Sequence, residues 1–164
     1  MKYLKTPLVN LIDVQDLCGL SRNIEEKEYN RFILTSQNTM LRELLGEDLV
    51  DALVDHVCLV AEDANLEILL ETYVKPTLSH DSFVHYTTQS SMKSLKSGVK
   101  RTGGENTENG SANEYSAVTS LHQKNVDSYV KRMICYLEEN LDLFLTYETK
   151  TEPIQARSIF TTKG

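Results

Sequence analysis

Nowhere in the 164 residues does an apolar run approach the ~20 needed for a membrane-spanning helix, and the opening MKYLKTPLVNLIDV lacks a signal-peptide core. A cytosolic chain with no membrane partner is the expectation. Basic charge is also short: Lys and Arg number 17 against 24 Asp and Glu, a formal net charge of −7. That balance argues against a protein that holds nucleic acid by bulk charge. Cys18, Cys58 and Cys135 are three, far apart, with no C-x-x-C pair. No local zinc or redox motif is present, and buried reduced thiols are expected. Motifs of catalysis are missing too. The segment TGGENTENG resembles a phosphate loop only loosely, lacks the Lys-Ser/Thr that should follow, and stands in no strand–loop–helix setting. No serine sits in a nucleophile elbow. The expectation is a protein that is not an enzyme and carries no cofactor or metal.

What the chain does contain is helical periodicity. At 164 residues it suits one core, here a small all-α bundle over residues 1–147 followed by an extended arm over 148–164. Leu4 to Ile12 read as extended. Asp13 ahead of VQDLCGL is a plausible N-cap for a short helix, and Gly19 its stop. Asn23 with Glu26 forms a capping-box pattern for one helix from Ile24 to Leu45, with Ile33, Gln37, Met40/Leu41 and Leu44/Leu45 at helical spacing. Gly46 stands where a left-handed residue ends a helix, and Glu47-Asp48 supply the acidic first turn of the next. LLGED is therefore a corner between two helices. The second arm sets Leu49, Val50, Leu53, Val54 and Val57 on one face and Asp48, Asp51 and Asp55 on the other.

Asn65 can cap the next segment, whose apolar positions run from Leu66 through Tyr86 with Pro76 in the middle. Proline there predicts either a kink near Glu71 to Tyr73 or a new helix starting close to Pro76. A Gly-, Asn- and Ser-rich insert over 96–113 follows, and Ser111 with Glu114 offers a capping box for a last long helix. That helix carries a stripe through Val118, Leu121, Val126, Tyr129/Val130, Met133/Ile134, Leu137, Leu141 and Phe144. It reads as the spine of the core.

Two features bear on function. His80, Asp81 and His85 could suggest a metal cluster, but a carboxylate and imidazole four residues apart more commonly make a surface contact. His56 and Cys58 have the wrong spacing to share a helical face. Charge is polarised: from Glu43 through Glu71 there are nine acidic residues and no Lys or Arg, while Lys93, Lys96, Lys100 and Arg101 cluster at the start of the insert. A basic arm and an acidic body fit head-to-tail self-association, with Lys93, Lys96, Lys100 and Arg101 meeting Asp48, Asp51, Asp55 and Glu62 of the next copy. Simple solvation of both is the plain alternative.

The order of LIDVQDL, MLRELLGEDLVDALV, LLETYVKPTLSHDSFVHY, the Gly/Asn-rich insert and VDSYVKRMICYLEENLDLF resembles the head–tail connector (adaptor, or ring) proteins of tailed bacteriophages, crAss-like type. The likeness is one of organisation and hydrophobic anchors and includes no catalytic signature. It implies a virion protein, made in the host cytoplasm, that forms a homo-oligomeric ring, often a dodecamer, beneath the portal protein. Such a ring joins the DNA-filled head to the tail, contacts other ring or tail proteins, and passes DNA through its lumen. In this family a long loop or β-hairpin reaches to neighbouring subunits, and the glycines of the insert permit hairpin turns. Where members of the family often place proline after LDLF, Leu145 stands here. A cytosolic helical adaptor that binds a phage or host protein through the same loop is the alternative of a different class. An enzyme with an unrecognised site is a third.

Overall fold

The structure, a computed structural model, describes residues 5–60, 63–96 and 112–147. Its elements are α1 (Leu11–Cys18), α2 (Glu26–Ser36), α3 (Arg42–Leu45), α4 (Glu47–Val57), α5 (Ala64–Leu69), α6 (Lys75–Lys96) and α7 (Ala112–Glu139). A π-helical turn, Gln37–Leu41, joins α2 to α3, and a second, Leu70–Val74, joins α5 to α6. No strand occurs among the described residues, and the fold is all-α. The hairpin expected in the insert lies outside them, as does the arm over 148–164. The insert is shorter at both ends than 96–113, because α6 runs to Lys96 and α7 begins at Ala112.

Local chemistry sets the helix ends, with some changes of residue. Asn10, not Asp13, is the N-cap of α1. Asn10 Oδ1 accepts from the Asp13 N–H and Asp13 Oδ2 accepts from the Asn10 N–H, both at 2.9 Å. Asp13 is thus the third helical residue of a reciprocal capping box, which moves the start three residues forward. Gly19 ends α1 in the left-handed region at φ 68, ψ 27. At α2 the Asn23/Glu26 box does not form: Glu25 is the N-cap and makes no side-chain cap bond. Asp63, rather than Asn65, caps α5 through Oδ1, which accepts from the N–H groups of Asn65 (2.7 Å) and Leu66 (3.4 Å). The Ser111 box lies outside the described residues.

The disturbance expected around Pro76 takes the form of the π turn Leu70–Val74, which covers Glu71 to Tyr73, and α6 begins at Lys75 beside the proline. The helix runs through it, because the π turn ahead of it widens the ladder to i→i−5 bonds, such as Lys75 N–H to Leu70 O. Proline lacks the N–H that an α-ladder would use and crowds the carbonyl four residues back. A π turn relieves both and keeps the chain helical. The first π turn carries Gln37, whose fully buried amide holds the N-terminal segment. Its Oε1 accepts from the Leu8 N–H (2.9 Å) and its Nε2 donates to Thr6 O (3.0 Å). The extended run expected from Leu4 to Ile12 is not what forms: the chain bends at Thr6, Leu8 and Val9, and α1 begins at Leu11.

α6 packs against α1, α2 and α7, and so is the hub of the bundle. Its residues Pro76 through Phe83 are all buried, consistent with a helix enclosed on every side. α7 lies along α6 with Val126, Met133 and Leu137 in the interior, but three positions of the expected stripe, Val118, Leu121 and Leu141, are exposed. α7 stops at Glu139, and i→i−3 turns carry the chain on so that Phe144 and Tyr147 still reach the core. Of the cysteines Cys18 is half-buried, while Cys58 and Cys135 are exposed, contrary to the buried thiols expected.

The corner after α3 forms as expected, with a different glycine conformation. Gly46 has φ 85 and ψ 165, a region open essentially to glycine and distinct from the left-handed helical one. Behind the corner Arg42 is buried and bonds Asp51 (3.0 Å) and Glu47 (3.4 Å) of α4, fixing the angle between the arms. A Cβ at Gly46 would meet nothing within 4 Å, so the cost of a side chain is conformational alone. Gly46→Ala is expected to lower unfolding free energy by about 1–3 kcal/mol in urea denaturation, with the m-value unchanged.

Candidate functional site

The helices bring together three side chains that no local motif connects. Cys18 ends α1, His80 lies on the enclosed part of α6, and His122 is on α7. Cys18 Sγ stands 3.3 Å from His80 Nδ1, and His80 Nδ1 stands 2.9 Å from His122 Nδ1. All three donor atoms lie within 4.8 Å of one another. The two imidazoles are 5% and 8% exposed, so water is nearly excluded from them.

One proton arrangement satisfies both contacts. His80 Nδ1, unprotonated, accepts from the Cys18 thiol on one side and from the Nδ1–H of His122 on the other. The ring planes are held from outside: Tyr129 stacks on His80 with centroids 5.8 Å apart, and Phe83 lies 4.2 Å from His122. Burial disfavours the charged forms. It lowers His80 to about 4, with a further push from neighbouring His122, and it also lowers His122. It raises the Cys18 thiol to about 12. The cluster is therefore neutral near pH 7, with an imidazole lone pair turned inward.

Around it several polar groups of α6 find partners close by, while Ser79 Oγ is buried without one among the described residues. Thr77 Oγ1 donates to Tyr73 O (2.6 Å), Ser82 Oγ donates to Ser79 O (3.1 Å), and Tyr29 Oη lies 3.3 Å from Ser82 Oγ. Asp81 Oδ2 is 3.5 Å from His85 Nε2, and that carboxylate raises His85. The His80–Asp81–His85 grouping considered from sequence is thereby split. His85 and Asp81 form a pair one turn apart, while His80 turns to Cys18 and His122.

The residues expected to carry charge contacts are distributed as follows. Asp48, Asp51 and Asp55 lie along α4, Asp48 and Asp55 exposed and Asp51 half-buried. Asp51 already bonds Arg42 of its own chain. Lys93 and Lys96 fall on the last turns of α6, where only the backbone is described. Lys100, Arg101 and Glu62 lie outside the described residues. Beside α4 is an open groove of about 790 Å³, walled by Asp13, Val57, Leu59, Asp63, Glu67 and Glu71 among others. His56 at its edge accepts from the Asp63 N–H through Nδ1 (3.3 Å), which leaves Nε2 to donate to Glu67 Oε2 (2.7 Å). Lys75 pairs with Glu71.

Sequence reasoning missed His122, although a signal was there: the steps 122, 126, 133 and 137 put it in register with the buried stripe, ahead of Leu121. The three ligand types had no spacing to betray them, because 62 and 42 positions separate the members in contact.

Fold and site define a small all-α protein with an enclosed Cys–His–His cluster. The chain belongs to a protein family of unknown function (DUF6712), which matches residues 41–156, or 116 of its 164 residues. His80 and His122 fall inside the matched span and Cys18 outside it. Neither the curated proteins nor the solved structures contain a match. No helix among the described residues is long and apolar enough to cross a membrane.

The neutral imidazoles make stability fall in acid. Below pH ~6.5 an unfolded histidine takes up a proton, whereas folded His80 refuses it until about 4. Folding free energy from urea titrations is expected to decline from pH 6.5 towards 4. In a His80→Leu/His122→Leu variant that decline should be shallower, whatever the variant's stability at pH 7.

Proposed function

We propose that this chain is a structural subunit of a bacteriophage virion, one of a ring of identical copies between portal and tail that lines the DNA channel. The resemblance of its helical order to head–tail connectors suggests the reading. One surface observation carries it furthest: Leu59, on the wall of the acidic groove, is 79% exposed and sits at φ 57. That left-handed position closes α4 through the bonds Val60 N to Asp55 O (2.9 Å) and Leu59 N to His56 O (3.0 Å), where glycine is the unstrained choice. A leucine there costs the monomer free energy and buries nothing within it. Together with Val57 and Val60 it offers an apolar centre with carboxylates at its rim, a pattern suited to a neighbour that is apolar and basic.

The neighbour in this reading is a second copy, whose Lys93, Lys96, Lys100 and Arg101 approach the acidic face carrying Asp48, Asp51, Asp55 and Glu62. Each exposed ion pair is worth only ~0–1 kcal/mol, but a closed ring repeats the set at every interface. An acidic lumen would discourage the duplex from adhering to the wall.

Two changes separate monomer from assembly. Leu59→Gly is expected to raise monomer stability by about 1 kcal/mol in urea denaturation and to weaken self-association in sedimentation velocity at low salt. Reversing Lys93, Lys96, Lys100 and Arg101 to Glu should weaken association too. Adding Asp48→Lys, Asp55→Lys and Glu62→Lys should restore part of it, with the differences shrinking at high salt. Asp51 stays, because its bond to Arg42 holds the corner. Ring yield that all these changes leave at the wild-type level in low salt would refute the docking, and a search of purified virions by mass spectrometry that never finds the chain would refute the connector.

A further inference from the structure

We propose that Cys18, His80 and His122 bind one zinc ion through Sγ and the two Nδ1 atoms, fastening α1 to α6 and α7. The inference is independent of the connector reading.

The donors are of the right kinds: a thiolate and two imidazoles form a mixed sulfur–nitrogen set of the sort zinc takes, while calcium and magnesium demand oxygen. They come from three helices, so the ion would act as a cross-link between parts of the chain far apart in sequence. The spacing is close to what binding needs. Tetrahedral Zn–N bonds of 2.0–2.1 Å put two ligand nitrogens about 3.4 Å apart. The observed 2.9 Å between Nδ1 atoms and 3.3 Å from sulfur to nitrogen require a spread of a few tenths of an ångström, while Cys18 and His122, whose donor atoms lie within 4.8 Å, would draw to about 3.6 Å. That both histidines present Nδ1 to the same point, with Tyr129 and Phe83 against the ring faces, means the rings are oriented before any ion arrives. On binding, the thiol proton and the His122 Nδ1 proton leave the cluster. The thiol proton goes to solvent on the half-buried Cys18 side, and the His122 imidazole takes its Nε2–H tautomer. Three protein donors leave a fourth position for water.

The test uses the full chain, stripped with chelator and dialysed. Adding one equivalent of zinc should raise the midpoint of thermal unfolding, with one zinc retained per chain after desalting. Cobalt in its place should give the strong visible absorption of a four-coordinate ion and a thiolate-to-cobalt charge-transfer band. Cys18→Ser should abolish that band. Cys18→Ser and His122→Gln should each weaken zinc binding by more than the roughly 10–100-fold that loss of an outer-shell partner costs. Cys58→Ser and Cys135→Ser, at the two exposed thiols, should change neither. Folded wild-type protein that retains no zinc and shows no charge-transfer band overturns the proposal. So does undiminished binding in Cys18→Ser/His122→Gln, which would assign the metal to a surface pair such as His56–Glu67. Should the variants fail to fold, the wild-type stoichiometry and cobalt spectrum decide alone.

Discussion

Eight consecutive buried residues, PTLSHDSF from Pro76 to Phe83, set the terms for the rest of the molecule. A helix enclosed on every side is ordinarily apolar, yet five of these eight are Thr, Ser, His, Asp and Ser. Burying a hydroxyl or imidazole without a partner costs on the order of 1–3 kcal/mol, so the surrounding helices must supply partners at fixed places. Tyr29 of α2 meets Ser82, Cys18 of α1 meets His80, and His122 of α7 meets His80 from the other side. The three helices around α6 are thus held in one rotation by polar contacts as well as by Tyr29, Leu78, Met133 and the other large apolar side chains. Apolar packing alone tolerates repacking. A set of matched donors and acceptors does not.

The two π turns serve the same end. Each widens the helix by one residue, the second just ahead of Pro76 and the first where Gln37, its backbone still in the ladder, bonds the segment Thr6–Leu8 through its side chain. Thr35, Asn38 and Thr39 bond back to the carbonyls of Arg31, Leu34 and Thr35 along that stretch. Such side-chain bonds compete with the ladder and mark where a helix departs from regular geometry. Among the described residues the segment before Leu11 has no helix of its own, and the Gln37 amide and the burial of Leu8 and Val9 hold it.

Much of this was legible in the sequence where the signal is local. The Gly19 stop, the corner at Gly46 and the apolar face of α4 follow from neighbours within a few positions, and the structure has all three. The start of α1 was misplaced because Asn10 and Asp13 are equally good caps in isolation. The reciprocal bond between them decides, and it is visible only in three dimensions. Pro76 marked the place of the disturbance, Glu71 to Tyr73, but not its form, because nothing in LLETYVKP announces a π turn. The Cys–His–His cluster was hidden for a different reason: its members are placed by helix packing, and the apolar stripe of α7 was assigned to Leu121 where the adjoining His122 turns inward. The acidic residues of α4 were seen as a face, but Arg42, just outside the acidic stretch, was not seen to claim Asp51.

An extra residue in a π turn is also a phase shift. At 3.6 residues per turn, one residue turns everything beyond it by about 100°. The PTLSHDSF segment presents Ser82 to α2 and His80 to both α1 and α7 only because Leu70–Val74 has already added that rotation. Wound as a plain α-helix without the π turn, the same residues would still be helical throughout and keep the same composition, and yet aim His80 more than a quarter-turn away from Cys18. The wide turn is then a matter of angle as much as of length: closing Leu70–Val74 to an α turn without removing a residue would re-aim the centre of the bundle, whereas a change in a surface link would not.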